Sequence, residues 1–350
     1  MSFKKAWIAV VLLFALLFSF FSCDYRSGSP SPKSHSFSTY FFGTTGRFYD
    51  YSGSSQKSFD TLAERVENEL TEYHKLYDIY NEYEGMVNLA TLNRTAGSGP
   101  VKVDKRIIDL LLFSKEMYEL TGGEVNVAMG AVLKIWHDFR EDGKKLPADE
   151  RQLPDINDLR AAAEHTDIND LVIDEENLTV SLLDPEMRLD VGATAKGYAV
   201  EMVAAGLEAE GLSGYVLDVG RNLRAIGTKP SGAGWTAGVV NPLPLSSEPY
   251  VYKTEIKNEA LVTSGSYENF YTVGGVNYHH IINNDSLFPE NYYLSVTVRS
   301  DSSALCDALT TALFNMPFEV AHPFVLSLND VFAVFVFPDG AVATVGERKS

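Results

Sequence analysis

Between residues 59 and 80 the apolar side chains Leu62, Val66, Leu70, Tyr73, Leu76 and Tyr80 recur at three- and four-residue steps, the spacing of one face of an amphipathic helix. Residues 171–183 change to the pattern of a hairpin or strand pair. A chain that switches period in this way must bury helix stripes against sheet faces. Asp104 as an N-cap and Gly122 as a C-cap bracket a second helix, and further helices are expected at 155–165, 194–210, 302–314 and 319–328. Strands are expected at 40–51, at 215–219, in several pieces between 222 and 298, and in a hairpin over 331–345 that turns at Pro338-Asp339-Gly340. Helices and strands mix without a strict βαβ rhythm, so the fold class is α+β and not a doubly wound sheet.

The balance of charge narrows the function. Across 350 residues, 29 Lys and Arg stand against 47 Asp and Glu, a formal net charge of −18. A surface so acidic repels a phosphate backbone, which argues against nucleic acid as a partner. A hydrophobic share of 45% is that of a globular protein, and two cysteines make neither a disulfide framework nor a Cys-rich zinc site. Lys4 and Lys5 precede an uncharged run over 6–21, and Ser22 leads directly into Cys23. This layout reads as a lipoprotein signal over 1–22, with Cys23 acylated and a Ser/Pro-rich tether over 23–38 before the domain at 39–350. The alternative is an uncleaved N-terminal anchor helix. Either way the domain is expected at the cell membrane, held by its anchor and facing the extracytoplasmic side. Cys306 is then an unpaired, buried thiol.

Four stretches can carry chemistry. In DVGATAKGYAV at 190–200 a strand end turns through glycine into a helix, which offers free N–H groups and Lys196 to an anion, or is simply a turn. DVGRN at 218–222 reads most simply as a strand-to-strand turn. Around Gly265, Thr263, Ser264 and Ser266 make a polar loop able to hold a phosphate, and His279 and His280 follow on a strand. Neighbours on a strand point to opposite faces, so one of those two histidines at most faces a given pocket. In SALCDALTTALF at 303–314, Asp307 and Thr311 are four apart and share a helical face. A carboxylate and a hydroxyl so placed suit a hard cation such as Mg²⁺. An Asp among Leu, Ala and Phe must in any case find a partner or a cation to offset its desolvation.

In this order the four stretches resemble the FAD:protein FMN transferase family, often called ApbE, over essentially the whole exported domain. Phe42-Gly43-Thr44, Tyr80, residues 88–93, TGGEVNVAMGAVLKIW at 121–136, Trp235 with Asn241-Pro242, and His279-His280-Ile281-Ile282 add to the match. The resemblance implies mixed sheets of a T-fold-related, ApbE-like kind, with helices packed around an extended FAD cleft and Mg²⁺ at the diphosphate. It assigns the metal to the Asp307 and Thr311 side chains and the Ala193 carbonyl. Asp190, Lys196 and Ile282 would contact FAD, with Phe42, Tyr80, Glu124, Val125 and Asn126 lining its cleft and His280 as the base. The family splits FAD, passes FMN to a Thr or Ser in an exported target and releases AMP. The partners so implied are flavin-accepting subunits of membrane redox complexes. The chain departs from the family pattern at Asn283, where an acid is usual, and at Arg221, where glycine is usual. A Mg²⁺-dependent FAD pyrophosphatase and a non-catalytic flavin-binding lipoprotein are the alternatives.

Overall fold

The computed structural model describes residues 32–346 apart from 244, 245 and 268; the expected signal 1–22 and Cys23 lie outside the described residues. The chain runs β1 (Lys33–Ser36), β2 (Gly46–Asp50), α1 (Gln56–Tyr77), α2 (Leu89–Arg94), β3 (Val101–Lys102), α3 (Lys105–Leu120), α4 (Gly130–Gly143) and α5 (Ile156–Ala163). It continues through β4 (Leu171–Asp174), β5 (Thr179–Leu182), α6 (Ala195–Ala209), β6 (Tyr215–Val219), β7 (Asn222–Ile226), β8 (Trp235–Val240) and β9 (Tyr250–Ile256). The remainder is β10 (Ala260–Gly265), β11 (Phe270–Val273), β12 (Val276–His279), β13 (Ser295–Ser300), α7 (Ser303–Asn315), α8 (Phe318–Ser327), β14 (Phe332–Val336) and β15 (Val342–Val345).

Eight of these strands form one antiparallel sheet in the order β1-β2-β6-β7-β10-β13-β14-β15. Alternation along β6 sends Leu217 and Val219 to one face and Val216 to the other. The first pair joins a core with Val66, Leu70, Ile107 and Val200, whereas Val216 meets Ala225, Trp235, Ala237 and Ile256 under the β8–β9 hairpin. Helices thus cover one face of this part of the sheet and a hairpin covers the other. The mixture of separate sheets and helices is the α+β class read from the sequence.

Local chemistry explains where the elements start and stop. Ser55 caps α1 by accepting from Ser58 N, and Asp104 caps α3 by accepting from Arg106 N. Gly122 and Gly123, with φ of 63° and 95°, take the chain out after α3 as the sequence implied. The expected helix over 59–80 ends sooner, at Tyr77. Asp78 is extended there, and its carboxylate accepts from Tyr80 N at 2.7 Å, Asn81 N at 3.0 Å and the Tyr83 hydroxyl at 2.8 Å. Tyr80 therefore leaves the helical stripe and stands 63% exposed. Lys33–Ser36, placed in the tether by the sequence, pairs with β2, and Lys33 Nζ lies 2.7 Å from Asp50 Oδ2.

The helix pair α6 and α7 packs closely because Gly197 has no side chain. A Cβ there would lie 2.3 Å from Asp307 Cβ and 2.5 Å from Ser303 O. One turn further along α6, Glu201 Oε2 accepts from Ser303 N at 2.5 Å, while Arg224 of β7 holds the same carboxylate from the sheet. Gly206, also in α6, has nothing within 4 Å of such a Cβ. Gly206→Ala should therefore stabilise the protein by up to about 1 kcal/mol, the ordinary helix-propensity gain. Gly197→Ala should instead destabilise it by about 1–3 kcal/mol, because overpacking outweighs that gain. Urea unfolding of both variants checks the opposite signs; a stabilised Gly197→Ala would show that the helices have room to part.

Candidate active site

The turn into α6 is tightly organised. Val191 O accepts from Thr194 N at 3.0 Å and Ala195 N at 2.8 Å, and the Asp190 carboxylate accepts from Gly192 N at 2.8 Å. Asp190 N donates to Val127 O at 2.8 Å, which ties this turn to the segment containing Glu124 and Asn126. The Lys196 ammonium reaches Asp307 Oδ1 at 3.0 Å, Gly197 N donates to Oδ2 at 2.7 Å, and Asn222 Nδ2 donates to Oδ1 at 3.2 Å. Asp307 is 5% exposed, so the acid on an apolar helix has found the partners its burial demands. Ala193 lies in the same turn, and Thr311 donates to Asp307 O at 3.5 Å from the next turn of α7. Thr310 donates to the same carbonyl at 2.8 Å and accepts from Ser264 Oγ at 2.9 Å.

A second group comes from α4 and the loop after α1. The Tyr80 ring lies 4.9 Å from the His137 ring, centroid to centroid, and Arg140 Nη2 stands 3.1 Å from His137 Nδ1. His137 and Arg140 act electrostatically on Asp190, and Asp190 acts on Tyr80. At the end of β12, His279 turns inward, with Nε2 2.8 Å from Glu290 O and its ring edge-on to Phe314. His280, one residue past the end of β12, is exposed, with Nδ1 3.3 Å from Asn269 O, and lies in the field of Arg140 and Lys196.

Asp190 and Asp218 are half-buried, whereas His280 and Tyr80 are exposed. Enclosure, reinforced by the positive fields of His279, Arg140 and Lys196, pushes the His280 imidazole down to about 4. Enclosure also raises the Asp190 carboxyl and pushes Asp218, at the end of β6, up to about 6 against the pull of Arg221, Arg47 and Lys196. The Tyr80 phenol is raised to about 12 by enclosure and Asp190. Glu124 is raised by burial and by Asp285, and its buried Oε2 has no hydrogen-bond partner.

The expected cleft residues divide into two groups. Phe42, with φ of 47°, sits in the turn after β1 with its ring edge-on to His74. Of the residues expected in the cleft, Asp190 meets Tyr80 and Lys196 meets His280 electrostatically, while Glu124 meets Asp285. Val125 and Ile282 do not expose their side chains to it: they are 1% and 6% exposed and pack in separate cores. The Asn126 amide is engaged by the protein, donating to Thr166 O at 3.0 Å and accepting from Ala128 N at 2.9 Å. The polar loop expected around Gly265 is largely strand β10. Thr263 pairs there with Thr297 across the ladder, and Ser266 bonds Leu294 O, so their hydroxyls serve the sheet. Asn283 accepts from Asp285 N and Ser286 N at 2.9 Å each, which makes it the residue that turns the chain after His280. His137 and Arg140 were missed in the sequence because α4 has no side-chain cap at Met129 to announce it.

The chain has known relatives. The model of the ApbE family matches residues 42–335. A FAD:protein FMN transferase of Treponema pallidum is 33% identical over 268 residues, spanning 73% of this chain and 72% of that protein. A FAD:protein FMN transferase of Klebsiella pneumoniae is 29% identical over 278 residues, spanning 79% of this chain and 82% of that protein. The crystal structure of the ApbE protein from Thermotoga maritima superposes with a TM-score of 0.76 at 24% identity, covering 90% of this chain and 97% of that one. The flavin transferase ApbE from Vibrio cholerae superposes with a TM-score of 0.73, also at 24% identity and over the same shares. Motif order, fold and sequence agree, and the chain belongs to the ApbE family.

Proposed function

We propose that this protein moves FMN from FAD to a Thr or Ser hydroxyl of an exported acceptor protein and releases AMP. The observation that carries the reading is the Asp307 node, where two helices and a strand bring Lys196, Gly197 and Asn222 to one buried carboxylate beside an enclosed cleft. The cleft suits a flavin dinucleotide. Buried Glu124 Oε2 needs a hydrogen-bond donor that the protein does not provide, and an amino or imide N–H of FAD would supply one. The Asp307 and Thr311 oxygens and the Ala193 carbonyl are oxygen donors of the kind Mg²⁺ takes, and they are the groups that would hold it. When bound there, Mg²⁺ would neutralise charge on the diphosphate.

The protein's own groups would do the rest. Lys196 neutralises phosphate charge, and the acceptor hydroxyl attacks the phosphorus on the FMN side. A new P–O bond forms as the bond to the AMP phosphate breaks, and AMP leaves with the bonding pair. The hydroxyl proton passes to His280, which is neutral at pH 7 and accessible in the cleft. The reading extends to acylated Cys23 as a membrane anchor on the extracytoplasmic side, which would keep enzyme and membrane-bound redox subunits on one surface; Lys4, Lys5 and the uncharged run over 6–21 support it.

The direct test incubates the chain lacking residues 1–22 with FAD and Mg²⁺, with and without an acceptor domain, and follows AMP by chromatography and acceptor mass by mass spectrometry. Acceptor-dependent AMP with a flavinylated acceptor supports the transferase; AMP and free FMN without acceptor would make it a pyrophosphatase. Asp307→Asn should reduce Mg²⁺-dependent AMP release by roughly 10²–10³-fold. An unchanged Mg²⁺ titration would refute the metal assignment.

His280 sets a pH signature. Its imidazole is depressed from 6.5 to about 4, so between those values the unfolded chain takes up a proton that the folded protein does not. The stability associated with neutral His280 is thus fully present above pH 6.5 and lost as pH falls toward about 4. His280→Gln should flatten the acid side of a stability-versus-pH curve and slow flavin transfer by roughly 10²–10⁴-fold. Wild-type kcat should lose activity at higher pH than kcat/KM does, because the bound anionic diphosphate raises the imidazole. Coincident acid limbs would place the base elsewhere.

A further inference from the structure

The hairpin joining β6 to β7 turns on two residues, Gly220 and Arg221, between the paired Val219 and Asn222. Both have positive φ, 53° and 69°, the requirement of a type I′ turn. Glycine meets that requirement without cost, whereas an arginine held there is strained, and such strain persists where the surroundings over-determine it. The surroundings do so here. The Arg221 guanidinium hydrogen-bonds the Tyr267 hydroxyl and stands 4.9 Å from the Tyr267 ring centroid. A long, mobile side chain is thereby held in one place.

That place belongs to the cleft. The next residue, Asn222, holds Asp307, and Asp218 on the other side of the turn feels Arg221, Arg47 and Lys196 together. A Cβ on Gly220 would lie 2.3 Å from Thr44 Cγ2, so the turn containing Phe42 closes over the end of this hairpin. A diphosphate carries two charges, and a planar guanidinium with several aligned donors suits it better than a second point charge.

We propose that Arg221 is a specificity-determining residue that binds the phosphate-bearing part of the flavin dinucleotide, with Tyr267 as the platform that orients it. The proposal rests on the FAD reading above. Its test measures affinity for FAD, ADP and riboflavin by fluorescence and calorimetry, using the chain without residues 1–22 and its Arg221→Gly and Arg221→Lys variants. Glycine suits the turn, and thermal unfolding verifies that this variant is folded. Arg221→Gly should weaken FAD and ADP by roughly 10–100-fold, shift riboflavin by less than about twofold, and reduce the salt dependence of FAD binding. Arg221→Lys should fall between, keeping the charge without the fork.

Equal FAD affinity in Arg221→Gly and wild type overturns the proposal and leaves the FAD reading standing. A parallel loss for riboflavin also overturns it, because the effect would then lie in the shape of the cleft. A rise confined to the KM of the acceptor protein overturns it by assigning the guanidinium to the acceptor. Wild-type protein that binds neither FAD nor ADP would remove the underlying reading as well.

Discussion

A carboxylate buried between two helices organises this protein. Asp307 has left water, and three donors offset that cost: the Gly197 N–H, the Lys196 ammonium and the Asn222 amide. Each donor comes from a different position along the chain, so satisfying one acid sets α6, α7 and β7 in mutual register. The contact is possible only because residue 197 has no Cβ. Glu201 repeats the arrangement one helical turn away, taking Ser303 N from the start of α7 and Arg224 from the sheet. Two buried acids, Glu201 on α6 and Asp307 on α7, therefore fix both the angle and the height of α7, and with them the position of Thr311. Removing either acid's partners would leave a buried charge uncompensated, which costs more than the pair itself contributes.

Much of this node was legible in the sequence for physical reasons. An acid in the apolar run of α7 had to be paired, and a glycine turn beside Lys196 offered the donors. The cap at Asp104 marked a helix start because its side-chain acceptor is local. What could not be read depends on distant contacts. Tyr80 fits the apolar period of α1 as well as Leu76 does, and only the carboxylate of Asp78, turning back on Tyr80, Asn81 and Tyr83, takes it out. The start of α4 is hidden because Gly130 is there for space: a Cβ would lie 2.4 Å from Arg188 O. Val125 and Ile282 sit beside cleft residues in sequence, but next to the cleft is not in it, and their apolar side chains go to the core. Of the hydroxyls near Gly265, Thr263 finds a cross-strand partner in Thr297, Ser264 bonds Thr310 on α7 and Ser266 bonds Leu294 O.

The two departures from the family pattern have different structural meanings. Asn283 uses its amide oxygen to hold two consecutive backbone N–H groups, a task an aspartate could also perform, so the turn after His280 survives the change. The acid itself reappears two residues on, as Asp285, where it acts on Glu124 across the cleft rim. Arg221 is different in kind, because it spends backbone strain to place a cation. Neither residue touches the Asp307 node directly, which stays whole in both cases.

The electrostatics of the cleft resolve an apparent conflict. A protein with a net charge of −18 must admit an anionic dinucleotide, and uniform acidity would oppose it. The cleft avoids this because Lys196, Arg140 and Arg221 contribute positive field there. Desolvation and two of these cations, Arg140 and Lys196, hold the His280 imidazole down at about 4. On the reading proposed above, a bound diphosphate would satisfy the cations and raise the imidazole toward the range where it accepts a proton well, coupling substrate binding to activation of the base through one field.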